Sequence, residues 1–252
     1  MTRAALLLVL ALTACSGEKV QAPAEWVPIF NGKDLTGWTP KLSGYAFGKD
    51  PFETFRVQDG VLQIRYDQYD AFQGEFGHLF YETPYSSYDI RFEYRFLGEQ
   101  ISGGPDWAWR NNGLMVHTED PATMLLDKDF PRSIEVQLLG GNGKDERSTG
   151  NLCTPDTNVV MDGVLRTEHC INSASPTYHG DDWVKVEIHV RGGEEIIHFI
   201  NGEEVMRYQS PQIGDAMPIE GEGTPVTRGY FALQAETHPT EFRHIEIRVL
   251  EE

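Results

Sequence analysis

Ser133-Ile134-Glu135-Val136-Gln137-Leu138-Leu139 decides how this chain folds. Side chains of a strand alternate between its two faces, so Ile134, Val136 and Leu138 point into apolar company while Ser133, Glu135 and Gln137 form a polar row on the opposite face. A row of that kind on several neighbouring strands is how a curved antiparallel sheet builds a groove. Glu135 and Gln137 are expected at its middle.

The same alternation recurs on both sides of that strand. Tyr88 to Phe96 sets Tyr88, Ile90, Phe92, Tyr94 and Phe96 against Asp89, Arg91, Glu93 and Arg95. Trp183 to Arg191 turns Val184, Val186, Ile188 and Val190 inward, and Gly229 to Glu236 opposes Phe231, Leu233 and Ala235 to Tyr230, Ala232, Gln234 and Glu236. Phe242 to Leu250 supplies a last strand. Asp59-Gly60 and Asn201-Gly202 each separate two such runs, and both pairs tolerate the positive φ that a two-residue hairpin requires. No stretch carries helical periodicity over three turns. The fold class expected is all-β, an antiparallel sandwich or jelly roll.

Composition narrows the partners. The chain has 252 residues, 40% of them hydrophobic, enough for one domain with a sizeable core. Lys and Arg total 21 against 39 Asp and Glu, a formal charge of −18 that repels phosphate backbones and anionic membrane surfaces. No nucleic-acid partner is expected. Arg3 precedes an apolar run from Ala4 to Leu12, too short to span a bilayer, and Thr13-Ala14-Cys15 follows. Residues 1–14 read as a signal peptide. Leu12-Thr13-Ala14-Cys15 resembles the bacterial lipobox, which implies acylation of Cys15, a tether over residues 15–25 ahead of the single domain over 26–252, and a lipid-anchored place in the bacterial cell envelope, facing the periplasm or as an outer-membrane lipoprotein. Membrane contact is expected only through that anchor. Cys153 and Cys170 remain, either as a disulfide worth about 3 kcal/mol or as two buried thiols.

Gly103-Gly104-Pro105-Asp106-Trp107-Ala108-Trp109-Arg110 breaks the strand pattern. Its tryptophans either stack on the apolar faces of a sugar or merely pin the loop. Asn112 to Thr118 reads as a strand with Leu114 and Val116 on one face and Met115 and His117 on the other. Gly140 to Ser175 is Gly- and Asn-rich and reads as a long loop over one end of the sheet.

Phe30-Asn31-Gly32-Lys33-Asp34-Leu35-Thr36-Gly37-Trp38, the strand from Asn111 to His117, Glu135-Val136-Gln137-Leu138-Leu139, Asn201-Gly202, and Gly229-Tyr230-Phe231-Ala232-Leu233-Gln234 leading to Phe242-Arg243-His244-Ile245 together resemble the 3-keto-disaccharide hydrolase domain family. The resemblance implies a concanavalin-like jelly roll that cleaves glycosides already oxidised at C3 of the sugar. His117 stands where that pattern more often carries Arg, and Gly140 where it often carries Asp. A retaining glucanase on this fold would want Glu-x-Asp-x-x-Glu, whereas this chain reads Glu135, Gln137 and Gly140 at those places. A 3-keto sugar needs only a base for its acidified C2 hydrogen and a partner for the enolate. Glu135 or His117 is the expected base, with Gln137 and Arg110 or a cation at the oxyanion. Trp107, Trp109, Asn112, Gln234, Glu236 and His238 are expected around the substrate. Glu135 and His117 would also suit a divalent metal. Two alternatives stay open: Glu135 as a structural partner of Arg91 or Arg95, and the whole domain as a lectin-like carbohydrate-binding module without turnover.

Overall fold

The computed structural model describes residues 24–215 and 217–250. The signal peptide and the acylated Cys15 inferred from the sequence lie outside these residues. Two antiparallel sheets pack face to face. The seven-stranded sheet runs, edge to edge, through Cys170–Ile171, Asn151–Cys153, Ile134–Leu139, Asn111–Thr118, Tyr230–Ala235, Gly77–Tyr81 and Trp38–Leu42. The ten-stranded sheet is centred on Val184–Arg191, Ser87–Phe96 and Thr240–Val249. The chain is an all-β jelly roll.

The apolar rows meet between the sheets. Leu114, Ile134, Val136, Leu138, Phe231 and Leu233 from one side pack against Tyr88, Ile90, Phe92, Val186, Ile188 and Phe242 from the other. Side-chain alternation then forces the opposite rows outward, onto the two outer faces. On the outer face of the ten-stranded sheet the charges pair with one another: Arg91 with Glu246 at 2.7 Å, Arg95 with Glu241 at 2.7 Å and Arg243 with Glu93 at 2.6 Å. Arg91 and Arg95 thus belong to the sheet that does not carry Glu135, and the structural role considered for Glu135 as their partner falls away.

Both hairpin turns have the required backbone, with φ of 52° and 79° at Asp59 and Gly60 and of 50° and 90° at Asn201 and Gly202. The segment from Gly140 to Ser175 is not the loop expected of it. It contains Asn151–Cys153, Thr157–Met161, Val164–Arg166 and Cys170–Ile171, which extend the edges of both sheets. Runs this short leave no readable alternation. Cys170 lies directly opposite Cys153 across the two edge strands, and a disulfide joins them.

Candidate active site

The outer face of the seven-stranded sheet is the groove, and its floor follows from register. Gly113 pairs with Gln137, which pairs with Asn151; one step along, Met115 pairs with Glu135 and Glu135 with Cys153. Across the central strand, Gln234 pairs with His78 and His78 with Lys41. Gly113 sits between these halves. A Cβ on it would come within 2.3 Å of Gln234 Oε1 and 2.8 Å of Glu135 Oε1, so both side chains lean over the space that a missing side chain leaves. A glycine is needed there for close approach, not for a turn.

Glu135, Gln137, Glu236 and Asn111 line a cavity of about 390 Å³ with Trp107, Phe130, Pro155, His169 and the Cys153–Cys170 pair. Glu135 and Glu236 are both buried. Burial pushes Glu135 up to about 8, against a smaller opposing pull from the Gln234 amide beside it. Burial also raises Glu236, and the charge of Glu135 raises it further, while the Arg147 guanidinium works the other way. Two carboxyls on one floor thus hold their protons well above the ordinary range.

Polar atoms without partners concentrate on this face. Oδ1 of Asn111, both ends of the Gln234 amide, Oε2 of Glu236 and Nε2 of His78 are buried and make no well-formed hydrogen bond. Native proteins satisfy nearly all such groups, so a cluster of exceptions marks a place where a ligand or water completes them. A larger depression of about 720 Å³ on the outer face of the ten-stranded sheet lacks this feature: Arg91 and Glu246 there already pair at 2.7 Å, and no lining residue has a buried unpartnered side-chain atom.

Several expected residues stand elsewhere. The strand Asn111–Thr118 carries a bulge against Tyr230–Ala235: Thr118 pairs with Tyr230 and Met115 with Ala232, leaving Val116 and His117 opposite Phe231 alone. His117 takes φ of 52°, which turns it out of the alternation, and its Nε2 lies 2.9 Å from the Gly192 carbonyl oxygen at the turn after Val184–Arg191 in the other sheet. Burial lowers its pKa. His117 is therefore neither a base in the groove nor a metal partner of Glu135. Among the described residues no group of three or more His, Cys, Asp or Glu side chains converges as a metal-ligand set.

Asn112 shares the inward parity of Leu114. Its Nδ2 donates to the Gln234 carbonyl at 2.8 Å and its Oδ1 accepts from the Gly113 N–H at 2.8 Å, so it ties strands together and does not face substrate. Arg110 is committed to Asp181 at 2.8 Å and to the Gly180 carbonyl, and it does not line the cavity. Trp109 is held by Arg110, Arg147 and His238, whose ring lies 5.8 Å from it. His238 is buried there with both ring nitrogens unpartnered, and desolvation and the two arginines bring it down to about 4.

Of the expected set, Glu135, Gln137, Glu236 and Trp107 meet at the cavity, and Gln234 leans over Gly113 beside them. Gln137 accepts from Asn151 Nδ2 at 3.1 Å. Asn111, His78, Phe130 and His169 were not anticipated. Parity with Gly113 and Met115 would have found Asn111, and parity with Phe80 would have found His78. Phe130 and His169 arrive from loops, where no periodicity speaks for them.

Solved structures of known proteins share the architecture. A candidate glycosyl hydrolase from Parabacteroides distasonis superposes with a TM-score of 0.56 at 17% identity, covering 90% of this chain and 100% of that one. A LamA variant from Z. galactanivorans, in complex with laminaritriose and laminaritetraose, gives 0.54 at 10% identity, over 90% and 100% of the two chains. A Bacillus subtilis protein with a galectin-like fold gives 0.52 at 9% identity, over 85% and 90%. At these identities the likeness is one of fold. No curated protein sequence matches the chain. A family model does, over residues 25–248, nearly the whole of the two-sheet domain, and by it the chain belongs to the carbohydrate-acting family of the 3-keto-alpha-glucoside-1,2-lyase-like domain.

Proposed function

We propose that this protein cleaves glycosides whose sugar carries a ketone at C3, by elimination followed by hydration. The observation that supports this most is the pair of buried carboxyls on one cavity floor, Glu135 brought up to about 8 and Glu236 also raised, by burial and by the charge of its neighbour. Environment divides their roles. Glu135, about a tenth ionised at pH 7, is the base, and Glu236, which burial and the charge of Glu135 push toward its protonated form, is the hydrogen-bond donor.

Glu135 removes the proton at C2, and the C–H electron pair moves into a C2–C3 enolate whose oxygen takes a hydrogen bond from the Glu236 carboxyl or the Gln137 amide. Re-formation of the C3 carbonyl drives the pair into a C1–C2 double bond, and the C1–O bond breaks onto the leaving oxygen, which picks up a proton. Water then adds at C1 and a proton returns to C2, giving the free 3-keto sugar. No oxidant or reductant is consumed. The unpartnered atoms of Gln234, Asn111 and His78 are suited to hold the sugar hydroxyls. The Leu12-Thr13-Ala14-Cys15 pattern supports a lipid-anchored location in the cell envelope.

A glucoside and its 3-keto derivative, compared for aglycone release, test this reading. Release from the ketone alone is the expected outcome. Equal release from both would point to ordinary glycoside hydrolysis, and binding of both without release would favour a lectin-like module. Gly113→Ala is a sharper probe of the floor. The added methyl displaces Glu135 and Gln234 at an overpacking cost of about 1–3 kcal/mol, and release is expected to fall more than tenfold in protein that still folds. Undiminished release would contradict the placement of Glu135.

A further inference from the structure

We infer that the group expelled from the sugar is a neutral aromatic or other flat apolar aglycone and not a second sugar. The inference rests on the proposed elimination and concerns the other half of the same cavity. Beside the two carboxyls the cavity is lined by Trp107, Phe130, Pro155 and the Cys153–Cys170 disulfide, with Cys153 the register partner of Glu135 on the next strand. Trp107 is 53% exposed, and its ring stacks on Phe76 at 5.6 Å and 23°, so one face is covered and the ring is held in place. Phe130 leans on the same Phe76 at 5.1 Å. Trp107 and Phe130 thus form an aromatic corner around Phe76.

Polarity decides what suits it. A second hexose presents hydroxyls around its whole edge, and each loses water on entry unless the wall offers a donor or acceptor. Of these side chains only the Trp107 indole N–H and the His169 ring can hydrogen-bond; the rest is phenyl ring, proline and sulfur. A flat aglycone needs no such partners and gains offset or edge contacts with both rings. The lining includes neither Lys nor Arg to pair with a phosphorylated or carboxylated leaving group.

Two 3-keto glucosides of the same anomeric configuration, one of benzyl alcohol and one of glucose, separate the possibilities, because both release an alkoxide and differ little in intrinsic reactivity. Binding is measured by titration calorimetry on Glu135→Gln protein. The benzyl ligand is expected to bind at least tenfold more tightly, and adding Trp107→Ala is expected to erase that advantage. Equal or tighter binding of the disaccharide overturns the inference, as does an advantage untouched by Trp107→Ala. The ratio of KM values on wild-type protein gives a second reading of the same preference. Failure of the reaction itself looks different: neither ketone would be cleaved by wild type, while the binding ratio would still decide the aglycone class.

Discussion

Glu135→Gln is expected to lower cleavage of a 3-keto glucoside by a factor of about 10² to 10⁴, the usual contribution of a positioned general base. The substitution keeps the shape of the side chain over Gly113 and its neighbourhood to Gln234, so binding of the ketone should survive. Loss of kcat with little change in binding is the signature of a group whose work is done in the transition state. Glu236→Gln exchanges a carboxyl O–H donor for an amide N–H donor and leaves the base in place, so its loss should be smaller. If Glu135→Gln left kcat within a few-fold of wild type, the proton would have to go elsewhere, to Glu236 or to His169 in the same lining.

Activity should climb with pH, and stability should fall over much of the same range. The ionised fraction of Glu135 rises about tenfold for each pH unit below its value of about 8, so kcat/KM is expected to increase with unit slope from pH 6 to near 8 and then level. Roughly a hundredfold separates the ends of that climb. Stability runs the opposite way because burial has raised the folded pKa above 4.5. Between that ordinary value and about 8 the unfolded chain gives up a proton that the folded chain keeps, so each step up in pH favours unfolding; below the window the two states are protonated alike. Glu236 is raised too and adds a loss of the same sign. Thermal unfolding at pH 5 and pH 8.5 measures this, at about 2–4 °C for each kcal/mol in a chain of this size. Glu135→Gln should be less sensitive to pH than wild type and more stable at the alkaline end. A pH-independent activity, or a wild-type protein that gains stability from this change in pH where Glu135→Gln does not, would speak against a buried, protonated Glu135.

The same features explain how far a reading of the residues carries. The face of Ile134–Leu139 that holds Glu135 and Gln137 is fixed by alternation against Ile134, Val136 and Leu138, three residues the core cannot release. Gln234 and Glu236 follow from Phe231, Leu233 and Ala235 by the same argument. Parity also places Asn112 beside Leu114 on the inner face, so its assignment to substrate ran against a signal already present in the strand. His117 is a different kind of miss. One inserted residue in a bulge reverses the face of every later residue in the strand, and nothing in Leu-Met-Val-His-Thr marks that insertion. The short edge strands around the disulfide, the aromatic wall and the nearness of Glu236 to Glu135 depend on contacts between segments far apart in the chain. Gly113 reads as an ordinary strand glycine until its neighbours are known.

The central claim is that a carboxyl in this groove takes the proton from C2 before the glycosidic bond breaks. A 3-keto glucoside carrying deuterium at C2, cleaved in ordinary water and examined by mass spectrometry of the released sugar, tests it most directly. Loss of the label during a single turnover, together with a primary isotope effect on release, is the predicted result; full retention of deuterium with no isotope effect would mean that C1 is attacked directly and would contradict the account.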